Sequence, residues 1–247
     1  MTQQRSRVAL SIAVLCLSWF ILATLSSMPA YYISLALDQP IPGDLYTVIN
    51  HGLRLAGGLV LIFVLLPRLP AIGRENLPSR VGITWPRTWA ERTVVVAFTA
   101  AVGGALVVEL LNGGLAGVRE FHTQALWLVL FTSLQAALIE ELLLRGLAFD
   151  TIRSRWGLLA AFGLTSLVFG FFHVYWGLAR VGTTAFMGGV FALVRWRSGS
   201  VWPAVIVHFL INVGFPIPAW LGVLVALMVS AGFALSQSAQ PAPEFSA

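Results

Sequence analysis

Long apolar runs, separated by short stretches rich in proline, glycine and polar residues, dominate this chain of 247 residues. A membrane-spanning helix needs about 20 mostly apolar residues, within a range of about 17–25. Runs of roughly that length predict about eight spans, separated by helix-breaking residues, at residues 8–28, 47–66, 94–111, 125–150, 157–175, 178–195, 201–215 and 218–235. The pattern therefore predicts an all-α protein built as a polytopic bundle of transmembrane helices.

The composition agrees with a membrane protein, since 58% of the residues are hydrophobic and 10% are charged. Soluble domains carry about 25% charged residues. We expect one transmembrane domain over residues 1–235, with the polar motifs between about 125 and 215, and a disordered tail at 236–247. The basic N-terminus followed by an apolar run also resembles a signal peptide. That run exceeds the usual ~7–15 residues, which favours a retained first helix.

The distribution of arginine predicts the orientation of the chain. All 15 positive charges are arginines, and the formal net charge is +5. With the N-terminus inside, eleven arginines fall in cytoplasmic segments and two in outside loops, as the positive-inside rule requires. We therefore expect both termini in the cytoplasm and membrane lipid, not nucleic acid, as the partner of these charges. The Arg-rich loop, residues 67–93, is expected to lie on the lipid surface as an interfacial segment.

Three charged residues stand inside the fourth apolar run: Glu140, Glu141 and Arg145. A charge in a membrane span costs at least ~2.5–3.5 kcal/mol on insertion scales, so such residues are normally paired or functional. Glu141 and Arg145 are four residues apart with the acid first, which is the favourable order for an ion pair on a helix. Glu140 points about 100° away from Glu141 and is expected to face a cavity. The alternative is that all three residues only hold helices together.

A histidine in the fifth run is expected to lie level with Glu140. His173 shares a helix face with Phe169, four residues earlier. Glu140 lies 16 residues before Trp156 and His173 lies 17 residues after it. In an antiparallel hairpin that turns near Trp156, the two side chains come to the same depth.

The seventh run carries a second polar stripe. His208 and Asn212 are four residues apart and share one face of a helix. They are interpreted as part of a functional site, with a simple interhelical hydrogen bond as the alternative. Three further polar residues, His51, Arg54 and Glu109, fall toward the outer ends of the second and third runs. These are interpreted as structural and outside the site, with Arg54 and Glu109 as a candidate ion pair.

Three motifs now stand together: Glu-Glu-x-x-x-Arg at 140–145, Phe-x-x-x-His at 169–173 and His-x-x-x-Asn at 208–212. Their order, spacing and placement on separate spans resemble the CPBP (CAAX protease and bacteriocin-processing, or Abi) family of intramembrane proteases. That family includes the Rce1-type enzymes, which remove the last three residues of prenylated CAAX proteins. The resemblance covers roughly residues 125–215. The eight-span layout is similar to archaeal and bacterial members, which implies a multi-pass protein of a prokaryotic cell membrane.

The resemblance implies roles for the matching positions. Glu140 would be the base that activates water, assisted by His173. His208 and Asn212 would hold the oxyanion of the tetrahedral intermediate. The supporting positions would be Glu141, Arg145 and Phe169. Peptide hydrolysis needs a base for water and donors for the oxyanion, which these side chains can supply.

Metal dependence stays open at this point, with metal-free glutamate catalysis and no cofactor favoured. Two histidines and one carboxylate are also a plausible zinc set, so the ligands of a zinc ion would be Glu140, His173 and His208. The helical His-Glu-x-x-His motif of zinc proteases is absent from the sequence. The single cysteine, Cys16, excludes an intrachain disulfide and a Cys-based zinc site, and it lies away from the polar clusters.

The sequence thus predicts an intramembrane endopeptidase whose cavity opens toward the cytoplasmic side. Its substrate would be a peptide or protein, and prenylation of the substrate's C-terminus stays open. One alternative is a proton-coupled transporter that uses Glu140 and the histidines as a relay. The sequence shows no evident inverted repeat of the transporter type. Another alternative is a non-catalytic immunity or partner-binding membrane protein.

Overall fold

The computed structural model describes residues 2–69, 78, 81–84, 126–174 and 177–212. Every regular element within these residues is helical, which confirms the all-α fold class. The predicted spans at 94–111 and 218–235 and the tail at 236–247 lie outside the described residues. Each of the other six predicted spans contains a described helix.

The N-terminal helices form two long apolar segments. They are α1 (Thr2–Leu25), α2 (Met28–Ala36) and α3 (Gly43–Val60), which continues through a π-helical turn (Leu61–Leu65) and a 3₁₀ turn (Leu66–Arg68). Pro42 precedes α3 in an extended conformation, as expected of a residue that cannot continue a helix. Ser26 and Ser27, between α1 and α2, bond through their hydroxyls to carbonyls of the preceding turn. The first helical segment is therefore interrupted at these serines and continues past residue 28, where the predicted span ended.

The C-terminal helices surround the three motifs. They are α4 (Leu126–Glu141), a π-helical turn (Leu142–Ala148), α5 (Phe149–Trp156), α6 (Leu158–Phe172), α7 (Leu178–Ser198) and α8 (Trp202–Asn212). Gly157 and Gly177 precede α6 and α7 with φ of 85° and 94°, and only glycine adopts such a conformation readily. The predicted turn next to Trp156 is thereby confirmed.

Within the part of the chain that the structure describes, three helical segments are long and apolar enough to cross a membrane: Leu10–Ala36, Gly43–Arg68 and Leu126–Trp156. The helix Leu158–Phe172 is apolar but shorter. The apolar helices are those of a membrane protein. The count of eight spans, the cytoplasmic position of the termini and the side on which the cavity opens stay predictions.

Small residues allow the helices around the site to approach closely. A Cβ atom at Gly170 would lie 2.7 Å from the Val181 carbonyl oxygen and 2.8 Å from Ala185 Cβ, so α6 and α7 are almost in backbone contact there. Close approach at glycine is typical of helix pairs in membranes. α4 packs between α3 and α8, and Gly58 of α3 faces Ile139 of α4.

Part of the Arg-rich loop docks into the helix bundle. Val81 is fully buried, and the Gly82 carbonyl accepts a hydrogen bond of 2.9 Å from the Val201 N–H at the start of α8. A Cβ atom at Gly146 would lie 2.7 Å from Val81 Cγ1, so this glycine forms the notch that Val81 fills. Residues 81 and 82 are therefore buried against helices and do not lie on the lipid surface, while most of the loop lies outside the described residues and its interfacial position stays a prediction. The Val81 side chain packs into the notch at Gly146 and not against lipid.

Replacing Gly170 with alanine should destabilise the bundle by about 1–3 kcal/mol, because the new methyl group meets backbone that cannot move aside. Gly163→Ala on the same helix is the matched control, since nothing lies within 4 Å of its Cβ position. That control should keep or slightly raise stability, because alanine is the better helix former. Denaturant unfolding in detergent measures both. Equal stability of the two variants would contradict the close α6–α7 contact.

Candidate active site

A buried ion pair lies at the centre of the site. Arg145 Nη1 is 3.1 Å from Glu141 Oε1, and neither side chain has any exposed surface. Arg145 Nη2 donates a 2.8 Å hydrogen bond to the carbonyl of Gly188 on α7. The guanidinium carbon lies 4.8 Å from the centre of the Phe169 ring and 5.4 Å from that of Phe191. The pair that the spacing predicted is therefore present. Two ring faces and a carbonyl also contact the cation, whose Nε has no hydrogen-bond partner among the described residues.

Glu141 has a second partner, His208, that the sequence did not predict. His208 Nδ1 lies 3.0 Å from Glu141 Oε1. A carboxylate oxygen accepts, so Nδ1–H donates, and this bond fixes which ring nitrogen carries that proton. Phe191 stacks on the buried imidazole with 5.2 Å between centroids, and Phe169 meets it edge-on at 5.3 Å. The ring is therefore held on both sides and presents Nε2 to Glu140 Oε2 at 4.0 Å.

Glu140 and His173 line one cavity, as the hairpin spacing predicted. The Glu140 side chain keeps 14% of its surface exposed, whereas Glu141 beside it is fully buried. The cavity, about 370 Å³ in volume, is lined by Trp19, Phe20, Ala23, Thr24, Ser27, Arg54, Glu140, Phe172 and His173. His173 directly follows α6, and its Nδ1 lies 2.8 Å from the Phe169 carbonyl oxygen, to which it donates.

A second cavity of about 160 Å³ holds the His-x-x-x-Asn stripe. Its lining includes His208 and Asn212 together with Phe169, Arg180 and His173. His173 thus belongs to both cavities. The described residues place Glu140 in the first cavity and Asn212 in the second. The predicted site residues therefore lie around the wall that the cavities share.

Sequence reasoning missed the part of the site that comes from the first two helical segments. Arg54 was placed outside the site, yet it lines the cavity of Glu140. α3 begins at Gly43, so Arg54 lies eleven residues into the helix, or ~16 Å at 1.5 Å per residue, well inside the span. An arginine at such depth is a signal of function that could have been used. Its candidate partner Glu109 lies outside the described residues.

Among the described residues, no three histidine, cysteine or acidic side chains are arranged so that they could hold one metal ion. The candidate zinc set of Glu140, His173 and His208 is thus not gathered as a three-ligand centre there, and the choice between metal-free and metal-dependent catalysis stays a prediction.

A bundle of apolar helices that encloses paired acids and histidines is typical of an enzyme working inside the membrane. Residues 122–214 match the family model described as type II CAAX prenyl endopeptidase Rce1-like. The chain therefore contains an Rce1-like domain over these residues, as its motifs suggested, and this family implies a protease that acts on peptide or protein substrates. Comparison with curated proteins and with solved structures gave no match.

Replacing Arg145 with methionine should cost about 3–5 kcal/mol of stability, because the Glu141 carboxylate loses its cation while staying buried. Arg153→Met is the matched control. Arg153 is 47% exposed and pairs with Asp150 at 3.4 Å, so its loss should cost at most about 1 kcal/mol.

The double variant Glu141→Gln, Arg145→Met tests the cause of that loss. It should recover part of the stability that Arg145→Met loses, because no uncompensated charge remains. All variants are compared by denaturant unfolding in detergent. Strictly additive losses would show that the two side chains do not depend on each other.

Proposed function

We propose that this protein is a glutamate-type intramembrane endopeptidase in which Glu140 activates a water molecule for attack on a peptide bond. The observation that carries the proposal is the 4.0 Å separation of Glu140 Oε2 and His208 Nε2 beside the wall shared by the two cavities. Glu140 Oε2 is buried and has no hydrogen-bond partner among the described residues, so a water molecule that bridges it to His208 Nε2 would supply the missing bond.

The proposed mechanism uses His208 as a hydrogen-bond donor at both ring nitrogens. The two carboxylate oxygens nearest to the ring are Glu141 Oε1, 3.0 Å from Nδ1, and Glu140 Oε2, 4.0 Å from Nε2, and both are acceptors. Its Nδ1–H is committed to Glu141. Its Nε2–H then points to the water and, during the reaction, to the developing oxyanion.

The proposed reaction begins with proton transfer from water to Glu140. The hydroxide oxygen bonds to the carbonyl carbon, and the oxyanion is stabilised by His208 Nε2–H and the Asn212 amide, both of which line the second cavity. When the C–N bond breaks, Glu140 returns the proton to the leaving amine. His173, fixed by its bond to the Phe169 carbonyl, lies between the two cavities and assists Glu140 in holding the water.

An apolar groove next to the cavity supports a substrate that carries a hydrocarbon group. The groove, about 330 Å³ in volume, is lined by Ala13, Cys16, Leu17, Phe20, Val168, Phe171 and Phe172. Phe20 and Phe172 also line the cavity of Glu140, so the two spaces adjoin. A prenyl chain in this groove would place the attached peptide next to the proposed base. Each buried methylene would contribute about 0.8 kcal/mol to binding.

Glu140→Gln should reduce peptide cleavage by about 10²–10⁴-fold, the contribution typical of a general base, because an amide cannot take the proton from water. Asp44→Asn makes the same acid-to-amide change at an exposed position in the first turn of α3 and should leave turnover unchanged. Cleavage is followed by mass spectrometry, and unfolding in detergent verifies that both variants fold. Full turnover by Glu140→Gln would overturn the proposal.

Metal removal separates this mechanism from a metallopeptidase. The wild type, treated with chelator and then assayed with and without added zinc, should keep its activity throughout. The glutamate-type mechanism would be contradicted if the purified protein holds one zinc ion per molecule, loses its activity when the chelator removes that ion, and regains the activity when zinc is added back.

A farnesylated peptide should be cleaved at least about tenfold more efficiently than its unprenylated twin, the equivalent of burying about two methylene groups. Val168→Trp, which fills the apolar groove, should reduce that ratio of kcat/KM values. Leu164→Trp, one turn earlier on α6 and outside the groove lining, is the control that should keep it. An unchanged ratio in Val168→Trp would remove the groove from the substrate site.

A further inference from the structure

The cavity that holds Glu140 also holds a partly buried cation that the proposed reaction does not use. Arg54 of α3 is the only arginine among the described lining residues of this cavity. Apart from Arg54, Glu140 and His173, the lining consists of aromatic, small and hydroxyl side chains. A cavity of this composition offers one anchoring point for an anionic group.

The groups that hold Arg54 in place are uncharged. Arg54 Nε donates a 3.0 Å hydrogen bond to Ser26 Oγ, and Nη2 donates one of 3.0 Å to the Ala23 carbonyl. Ser26 is itself buried and lies 2.8 Å from Asn50 Oδ1. These two bonds hold the guanidinium through neutral groups, and the carboxylate whose charge acts on it is Glu140 in the same cavity. Within the described residues, Nη1 has no hydrogen-bond acceptor, so this edge is available to a ligand.

Two contacts between α3 and α4 set the depth of Arg54 relative to Glu140. His51 Nδ1 lies 2.7 Å from Gln135 Oε1, and a Cβ atom at Gly58 would lie 2.7 Å from an Ile139 methyl group. Arg54 stands between these contacts, so its backbone is about one helical turn, ~5.4 Å, from the level of Glu140. An extended peptide advances ~3.3–3.6 Å per residue. A group bound by Arg54 would therefore be only a few residues from the bond that Glu140 attacks.

We propose that Arg54 binds the C-terminal carboxylate of the peptide substrate. This inference rests on the proposed function and adds to it the way in which the substrate is positioned. A guanidinium matches a carboxylate in shape and charge, and the pairing is strong where water is largely excluded. Anchoring the chain end at Arg54 makes the site select for peptide ends over internal segments. It also fixes the number of residues that are released.

The test compares three peptides that differ only at the C-terminus: the free acid, the amide, and an amide whose last residue is glutamate. The wild type should show a kcat/KM about 10- to 100-fold higher for the free acid than for the amide, the range expected of hydrogen bonds to a charged group. Arg54→Gln should lose this preference. Because Arg54 lines the cavity of Glu140 and its charge acts on that carboxylate, turnover of both peptides should also fall, so the measured quantity is the acid-to-amide ratio of kcat/KM values. Arg68→Gln, an exposed arginine at the far end of the same helical segment, should keep the preference.

Arg54→Lys keeps the cation and should keep part of the preference, so it serves if Arg54→Gln does not fold. Equal cleavage of acid and amide by the wild type would overturn the inference and leave the proposed function standing. The inference would also be overturned, and the proposed function would stand, if Arg54→Gln retains the full preference for the free acid. The same result follows if Arg54→Lys loses that preference while it still turns over the amide normally. Equal cleavage of the free acid and the glutamate-ending amide would assign Arg54 to a side-chain carboxylate instead. Failure of the wild type to cleave any of the peptides would overturn both.

Discussion

The fully buried ion pair between Glu141 and Arg145 is the interaction on which the rest of the site depends. Each ion would cost several kcal/mol to bury alone, so the pair persists only with good geometry and further polar partners. Those partners come from different helices. Arg145 reaches the Gly188 carbonyl on α7 and the Phe169 ring on α6, and Glu141 bonds to His208 on α8. One neutral pair on the long α4–α5 segment thus fixes the rotation of three neighbouring helices around Glu140.

The backbone next to the Glu141–Arg145 pair departs from regular α-helical geometry. A π-helical turn follows Glu141 directly, and such turns occur often at functional sites because they leave carbonyl groups open to other donors. The Arg145 carbonyl accepts a 3.1 Å hydrogen bond from Arg195 Nε, while the Arg195 Nη2 lies 2.6 Å from Asp150 Oδ2. Gly188 permits the close approach, since a Cβ atom there would lie 3.1 Å from Arg145 Nη2. The ion pair between Arg195 and Asp150 and the close approach at Gly188 therefore stabilise the π-helical turn.

The candidate site could be predicted only where it depends on spacing within one helix or one hairpin. The four-residue separation of Glu141 and Arg145 was enough to predict their pairing, and the turn near residue 157 was enough to bring Glu140 level with His173. The bond between Glu141 and His208 joins positions 67 residues apart. Spacing within one helix does not determine which face of α8 contacts α4. Helical periodicity therefore placed His208 on the same face as Asn212 but could not identify Glu141 as its partner.

By itself, the sequence determined three things, because each depends on residues close together in the chain. Long apolar runs indicated the helical class, and glycine residues marked the turns between helices. The cost of charge in lipid identified the side chains able to take part in chemistry. The family match over residues 122–214 agrees with the motifs read in this way. Only the tertiary structure decided that two cavities meet at His173, that Arg54 shares one of them, and that Val81 fills the notch at Gly146. Each of these depends on how helices distant in the chain rotate and approach one another. Packing at a few glycines and the contacts of the buried Arg145 with Glu141 and the Gly188 carbonyl set that geometry.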